Sequence, residues 1–516
     1  MSHVLHHASR REFLRRAGAL SFLGGASPLA LNLAALGSAS AQSAGDYKAL
    51  VCLFLAGGND AYNTVLATDG PSWANYVKVR NQAPDPIALR APGVPPVAEA
   101  VAGSPDRLGG VLALDARRPQ GRAVAVHPQL AGVRDLFAAG RLAVLPNVGP
   151  LLRPTTKADL RNAAFPRPAS LFSHNDQQST WQTLAVEGRT TGWGGRMGDL
   201  LMSQNGAGAV FTGISASGNA VWLAGRQVRQ YAVSTSGAIR IGGTGATSLF
   251  GSTTALGRMN DIVRNARSTD LLARDHAAVA ARSIDADALL SGALPPAAPA
   301  PFATAGLASG TADPLLQYDN PLSGAKATNG LAQQFQMVAR LIAARGSLGV
   351  RRQVFFINLG GFDHHDAQNR LHADLMARLS HGLAYFDAVL GAMGMRDGVT
   401  TFTASDFGRT FTSNGDGTDH GWGGHHFVLG GAVKGRDLYG NFPAYGLPDG
   451  SGDFTSPNQI ANGALLPQTG VDQLGATLGR WLGLSEGALL DVFPNLSQFD
   501  AAQRDLGFMI RPSVTA

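Results

Sequence analysis

Tyr47-Lys48-Ala49-Leu50-Val51-Cys52-Leu53-Phe54-Leu55 is the stretch on which the fold turns. It is almost wholly apolar and runs into Gly57-Gly58-Asn59-Asp60. A short apolar run closed by glycines reads as a strand buried on both faces, the form a parallel α/β sheet requires. Working outward, a helical pattern of Leu130, Val133, Leu136 and Phe137 follows His127-Pro128 and stops at Gly140. Leu142–Leu145 is then a second buried strand. Val354–Leu359 reads as a third, Val399–Thr403 as a fourth and Phe427–Leu429 as a fifth. Leu331–Ala344 is an amphipathic helix. Leu371, Leu375, Leu379, Leu383, Phe386 and Leu390 set another over about 368–391. Residues 205–260, rich in Gly, Ser, Thr and β-formers, predict several short strands or a β-rich insertion. Ala266–Leu290 predicts a helix, and 291–312 a flexible surface loop. With no internal repeat and no clean linker, the expectation is one doubly wound α/β domain over 42–516, on a mostly parallel sheet.

Composition narrows the function. The chain has 516 residues, 45% of them apolar, which excludes wholesale disorder. Only 15% are charged, against the ~25% usual for soluble domains. One cysteine, Cys52, excludes an internal disulfide and a zinc site built from cysteines. The formal charge of +6 falls to +3 once Arg10, Arg11, Arg15, Arg16 and Glu12 are set aside. No Lys/Arg cluster stands out in the remainder, so nucleic acid is not an expected partner.

Residues 1–41 have the layout of an export signal. A basic start is followed by an apolar run from Ala17 to Leu36, and then by Ala39-Ser40-Ala41. Gly18, Gly24, Gly25 and Pro28 dilute that run, so no stable membrane span is expected in the mature chain. The hexamer Ser9-Arg10-Arg11-Glu12-Phe13-Leu14 resembles the twin-arginine signal. That resemblance implies the twin-arginine translocation machinery as a partner and export of a folded chain. The expected destination is the periplasm or the outside, after cleavage near Ala41.

Ten of the 13 histidines lie beyond the signal, and seven of those ten fall between His364 and His426. Most follow predicted strands, where ligands bind in open α/β sheets. Asp60, just past the first strand, reads equally as a carboxylate ligand or as a helix N-cap. In Leu359-Gly-Gly-Phe-Asp-His-His-Asp366 the donors crowd too closely for all to face one ion. Asp363 and His365 are the better pair, suited to zinc, manganese or iron. Past the fourth strand, Asp406 offers a further ligand and Arg409 a two-point contact for an oxyanion, with a structural Asp406–Arg409 ion pair as the equal alternative. Asp419, His420, His425 and His426 share a Gly-rich loop, where core packing is not expected and at least one histidine reads as exposed. Ser173 and His174 would begin a helix, a position suited to an activated hydroxyl or to plain capping. His372 and His381 lie off the leucine stripe and read as surface residues. There is no GxGxxG after the first strand, no GxxxxGK[ST], no HExxH and no GxSxG, which weakens nucleotide-binding, zincin and serine-hydrolase readings.

The segments LFLAGGNDAYNT, GGFDHHDAQ, SDFGRTFTSNGDGTDHGWGGHHFVLGGAVKG and DVFPNL resemble an uncharacterised bacterial family, domain of unknown function 1501. That family is grouped with the alkaline phosphatase and sulfatase superfamily, so the resemblance implies an alkaline phosphatase-like sheet. It also implies one or two divalent metal ions. Carried over, Asp60, Asp363, His365, Asp406 and His420 would be the ligands and Ser173 the nucleophile. The chain departs from the superfamily pattern at Ala367 and Phe407, where histidines are usual. The expected activity is hydrolysis of a small anionic phosphate or sulfate ester. The alternative is a non-catalytic exported binding or partner protein that keeps the fold.

Overall fold

All seven inner residues of Lys48–Ala56 are buried, and their side chains divide cleanly between two cores. Val51, Leu53 and Leu55 enter one, Leu50, Cys52 and Phe54 the other. The period of two along a strand forces this division, so the sheet is covered on both faces. The computed structural model describes residues 47–240, 243–244, 247–265, 269–308 and 310–510. The export-signal expectation for 1–41 lies outside these residues.

In chain order the strands are β1 (Lys48–Ala56), β2 (Val65–Ala67), β3 (Leu112–Leu114), β4 (Val124–Val126), β5 (Leu142–Gly149), β6 (Gly213–Ser215), β7 (Tyr231–Ser234), β8 (Gly237–Arg240) and β9 (Gly243–Thr244). There follow β10 (Gln317–Asp319), β11 (Lys326–Thr328), β12 (Arg352–Gly360), β13 (Val399–Ser405), β14 (Gly424–Leu429), β15 (Gln459–Ile460), β16 (Ala464–Leu465) and β17 (Thr469–Gly470). Ten of them form the central sheet in the order β17-β5-β14-β13-β1-β12-β6-β7-β8-β9. β1 lies between β12 and β13 and runs parallel to both. β14 runs antiparallel to both its neighbours, and β8 likewise. The fold is therefore mixed α/β on a mostly parallel sheet. β2, β3 and β4 form a small antiparallel sheet, and β10–β11 and β15–β16 are two-stranded ladders.

One face carries the helices Ala131–Ala138, Gly330–Ala343 and Gln368–Ala392, and the other carries Trp193–Leu201 and Val471–Leu482. Among the described residues no helix is long and apolar enough to cross a membrane.

Within residues 205–260 the expected short strands are present as β6 to β9. They extend the edge of the main sheet, because β6 pairs with β12. Several expectations change. Thr253–Arg264 is a helix. The described part of 294–313 lacks helix or strand for most of its length but is tied down. The Phe302 carbonyl accepts from Tyr385 Oη at 2.7 Å and Gln336 Nε2 at 3.0 Å. His372 is buried, not superficial, because the Gln368–Ala392 helix is packed on more than one side. Gln368, His372 and Met376, one turn apart, face Asp60 and Thr64 in the segment that follows β1. His381 is half-buried, with Nδ1 3.0 Å from Asn329. His425 and His426 are not loop residues: they lie in β14 and are buried in the core.

Candidate functional site

The register of the three central strands builds the site. Leu55 stands level with Leu359 and with Ser405, so β1, β12 and β13 end together. The residues that follow, Gly57-Gly58, Phe362-Asp363 and Asp406-Phe407, therefore meet at the carboxyl edge of the sheet. Two glycines permit the close approach. Gly57 has φ +113°, and a Cβ there would fall 2.5 Å from the Asp363 nitrogen. Gly58 has φ +84°, and a Cβ would lie 2.3 Å from the Phe407 ring.

Asp363 is the hub. Its side chain is 46% exposed. Oδ2 lies 3.3 Å from His174 Nε2, and Oδ1 lies 3.0 Å from His365 Nε2 and 3.4 Å from His420 Nε2. The two facing nitrogens of His365 and His420 are 3.0 Å apart. Ligand atoms of His174, Asp363 and His420 all lie within 4.8 Å of one another. Bonds of ~2.0–2.1 Å to one tetrahedral ion place its ligands roughly 3.3 Å apart, so these spacings fit a single small divalent ion.

The opposite ring nitrogens are engaged. His420 Nδ1 donates to the Phe172 carbonyl at 2.7 Å, which leaves its Nε2 an acceptor in the neutral ring. His174 Nδ1 bonds Asp406 Oδ2 at 2.8 Å. Carboxylate and carbonyl partners of this kind fix tautomer and ring angle in metal-binding histidines. The hydrogen bond to Asp406 raises the His174 pKa, and burial lowers that of His420. Burial pushes the Asp363 carboxyl up, but Arg409 with its hydrogen bond and charge, aided by His174 and His365, brings it down to about 2.

Arg409 is 1% exposed and fully engaged. Nε donates to Gly58 O at 2.9 Å and Nη1 to Thr418 O at 2.9 Å. Nη2 contacts Gly57 O, Phe362 O and Asp363 Oδ1. No pair of donors is left for a two-point contact with substrate. Arg409 pairs with Asp363, not with Asp406.

Asp406 faces His174 Nδ1 and the Gly57 N–H rather than the ligand atoms of the cluster. Asp60 does not join the group either. Both its oxygens bond Arg80, at 2.5 and 3.0 Å, while Gln368 Nε2 and Tyr62 N–H take further positions. It also caps the turn Ala61–Thr64. Burial works against ionisation there, but Arg80 overrides it and lowers the Asp60 pKa. Ser173 is the N-cap of the His174–Thr183 helix but makes no capping bond with its side chain. The turn before it is strained, with φ +49° at Ser170 and +73° at Phe172.

The sequence reading thus gathers Asp363, His365 and His420, and leaves His174 out of the ligand set. Its contact with Asp406 spans 232 positions, so no local pattern announces it. A signal does exist: His174 stands beside a serine at a helix start.

A mixed α/β protein with a His/Asp cluster at the carboxyl edge of a mostly parallel sheet is the class this geometry defines. Residues 47–493 match the family described as "Protein of unknown function (DUF1501)", and the chain belongs to that family. A search of curated proteins finds no match to it.

Proposed function

We propose that the protein is an exported, metal-dependent hydrolase of small anionic phosphate or sulfate esters. The observation that carries this reading is the outward anchoring of His174 and His420. Each gives Nδ1 to a fixed acceptor and turns Nε2 toward Asp363. Purely structural histidines have no need of such convergence on a half-exposed carboxylate. Asp363, His174 and His420 would hold the ion, with His365 in reach as a fourth donor. A divalent ion there would polarise the ester oxygen and lower the pKa of an attacking hydroxyl or water. Ser173 supports the first choice of nucleophile, because its hydroxyl is free of the capping role and the helix N-terminus favours a developing anion. Asp406 would keep the His174 ring in place, and Arg409 would hold Asp363 ionised rather than touch substrate.

The test is chelation, metal reconstitution with zinc or manganese, and assay against aryl phosphates and aryl sulfates. Turnover that requires the ion and disappears in Asp363→Ala is the expected result. Full activity in that variant would refute the role. A second reading, a non-catalytic exported binding protein, is favoured by Phe407, whose ring packs 4.7 Å from His174 and 4.6 Å from His420. Metal-free purified protein with no turnover across the panel would favour it.

A further inference from the structure

We infer that the cluster is built for one metal ion, and that the Arg409 guanidinium stands beside Asp363 as a fixed second cation. The inference rests on the metal-dependent reading above. Four backbone carbonyls, those of Gly57, Gly58, Phe362 and Thr418, converge on Arg409 together with Asp363 Oδ1. A nest of carbonyl and carboxylate oxygens is what a hard metal cation takes. Here an organic cation already fills it, out of reach of solvent. The oxygens come from three separate stretches of chain, those after β1 and β12 and the loop before β14, so the guanidinium is held from all three.

Two further carboxylates near this edge are already engaged. The Asp406 carboxylate is committed to Gly57 N–H at 3.2 Å and His174 Nδ1 at 2.8 Å. Asp60 is sealed against Arg80. The half-exposed Asp419 lies on the far side of His365, its Oδ1 3.6 Å from Nδ1 of that ring and accepting from Asn414, away from the facing Nε2 atoms of the cluster. The Phe407 ring packs against His174 and His420, with the Arg409 guanidinium carbon 5.6 Å from its centroid, while Arg409 Nη1 lies 3.5 Å from His365 Nε2. A second ion would meet hydrocarbon on that flank and a permanent positive charge beside the shared carboxylate. Like charges that share one carboxylate repel each other. What remains is a donor set for one ion.

The experiment is a Co2+ titration of the chelator-stripped, folded wild-type protein, followed by the visible absorption of the bound ion. Mn2+ paramagnetic resonance is the second readout. Saturation at one equivalent, with the spectrum of an isolated Mn2+, is expected. Saturation at two equivalents, or an exchange-coupled Mn2+ pair, overturns the inference while leaving the metal-dependent reading intact. Absence of any uptake of Co2+, Mn2+ or Zn2+ overturns that reading and the inference with it.

Discussion

Two groups of histidine, aspartate and arginine sit near the same end of the same sheet, and they differ in almost everything but composition. In the rim group, Asp363, His174, His365 and His420 turn unsaturated donor atoms toward each other at a half-exposed opening. In the inner group, Asp60 and Arg80 form a buried two-point ion pair, walled by the Tyr62, Tyr76 and Phe411 rings. His127, His364 and His372 pack there edge to face, with ring centroids 5.5 and 5.8 Å apart. Desolvation makes the inner histidines neutral, bringing His364 to about 4 and His372 to about 3. The same residue types are therefore ligands-in-waiting at the rim and packing elements within. Access and convergence on a shared carboxylate decide which.

The comparison can be broken most severely at its two carboxylates. Asp363→Ala should cost more than about 100-fold in ion affinity, with loss of turnover, because it removes the hub rather than a supporting group. Its unfolding transition should fall by less than that of an Asp60 variant, since the buried Arg409 loses its carboxylate but keeps four backbone carbonyls. Asp60→Asn should do the reverse. It leaves the buried Arg80 charge without its counter-ion, at about 3–5 kcal/mol of stability, while the bound ion per chain measured on the folded fraction stays unchanged. Denaturant melts and metal analysis on both variants check the pair. If Asp60→Asn lost the ion and kept its stability, the division between the groups would be wrong.

Asp406→Asn sharpens the rim side. The amide can still accept from Gly57 N–H, but it orients His174 less firmly, so ion affinity should fall by about 10–100-fold. Competition against a chelator of known affinity measures it. The remaining effect is one of pH and concerns histidines away from the rim. Burial brings His372, His425 and His426 down to about 3, against 6.5 for a free imidazole. The unfolded chain then binds more protons, so the stability present above pH 6.5 is lost as pH falls toward 3. The slope approaches about 1.4 kcal/mol per pH unit for each of them. Unfolding midpoints at pH 7, 6 and 5 should fall in that order, and His426→Phe should flatten the decline.

Much of the fold was legible because its signals are local. An almost unbroken apolar run ended by glycines reads as a strand buried twice over, and the leucine spacing of 368–391 reads as a helix. Reading the same helix as one-faced placed His372 at the surface. Counting glycines around His425 and His426 placed them in a loop. Both errors have one cause: burial on a second face depends on neighbours that arrive from elsewhere in the chain. The β-forming character of 205–260 was real, but composition says nothing about which sheet its strands will join.

The candidate site divides in the same way. Unaided, the order of residues determined a two-faced sheet centred on β1 and a histidine-rich rim around Asp363, His365 and His420. It also determined membership of the family over 47–493. Tertiary structure alone decided that Asp60 belongs to Arg80, that His174 crosses 232 positions to join the rim, and that Arg409 is fully engaged within the protein. Strand register explains the difference: it brings distant loop ends within 3 Å of each other, and no spacing along a chain encodes which of those ends will meet.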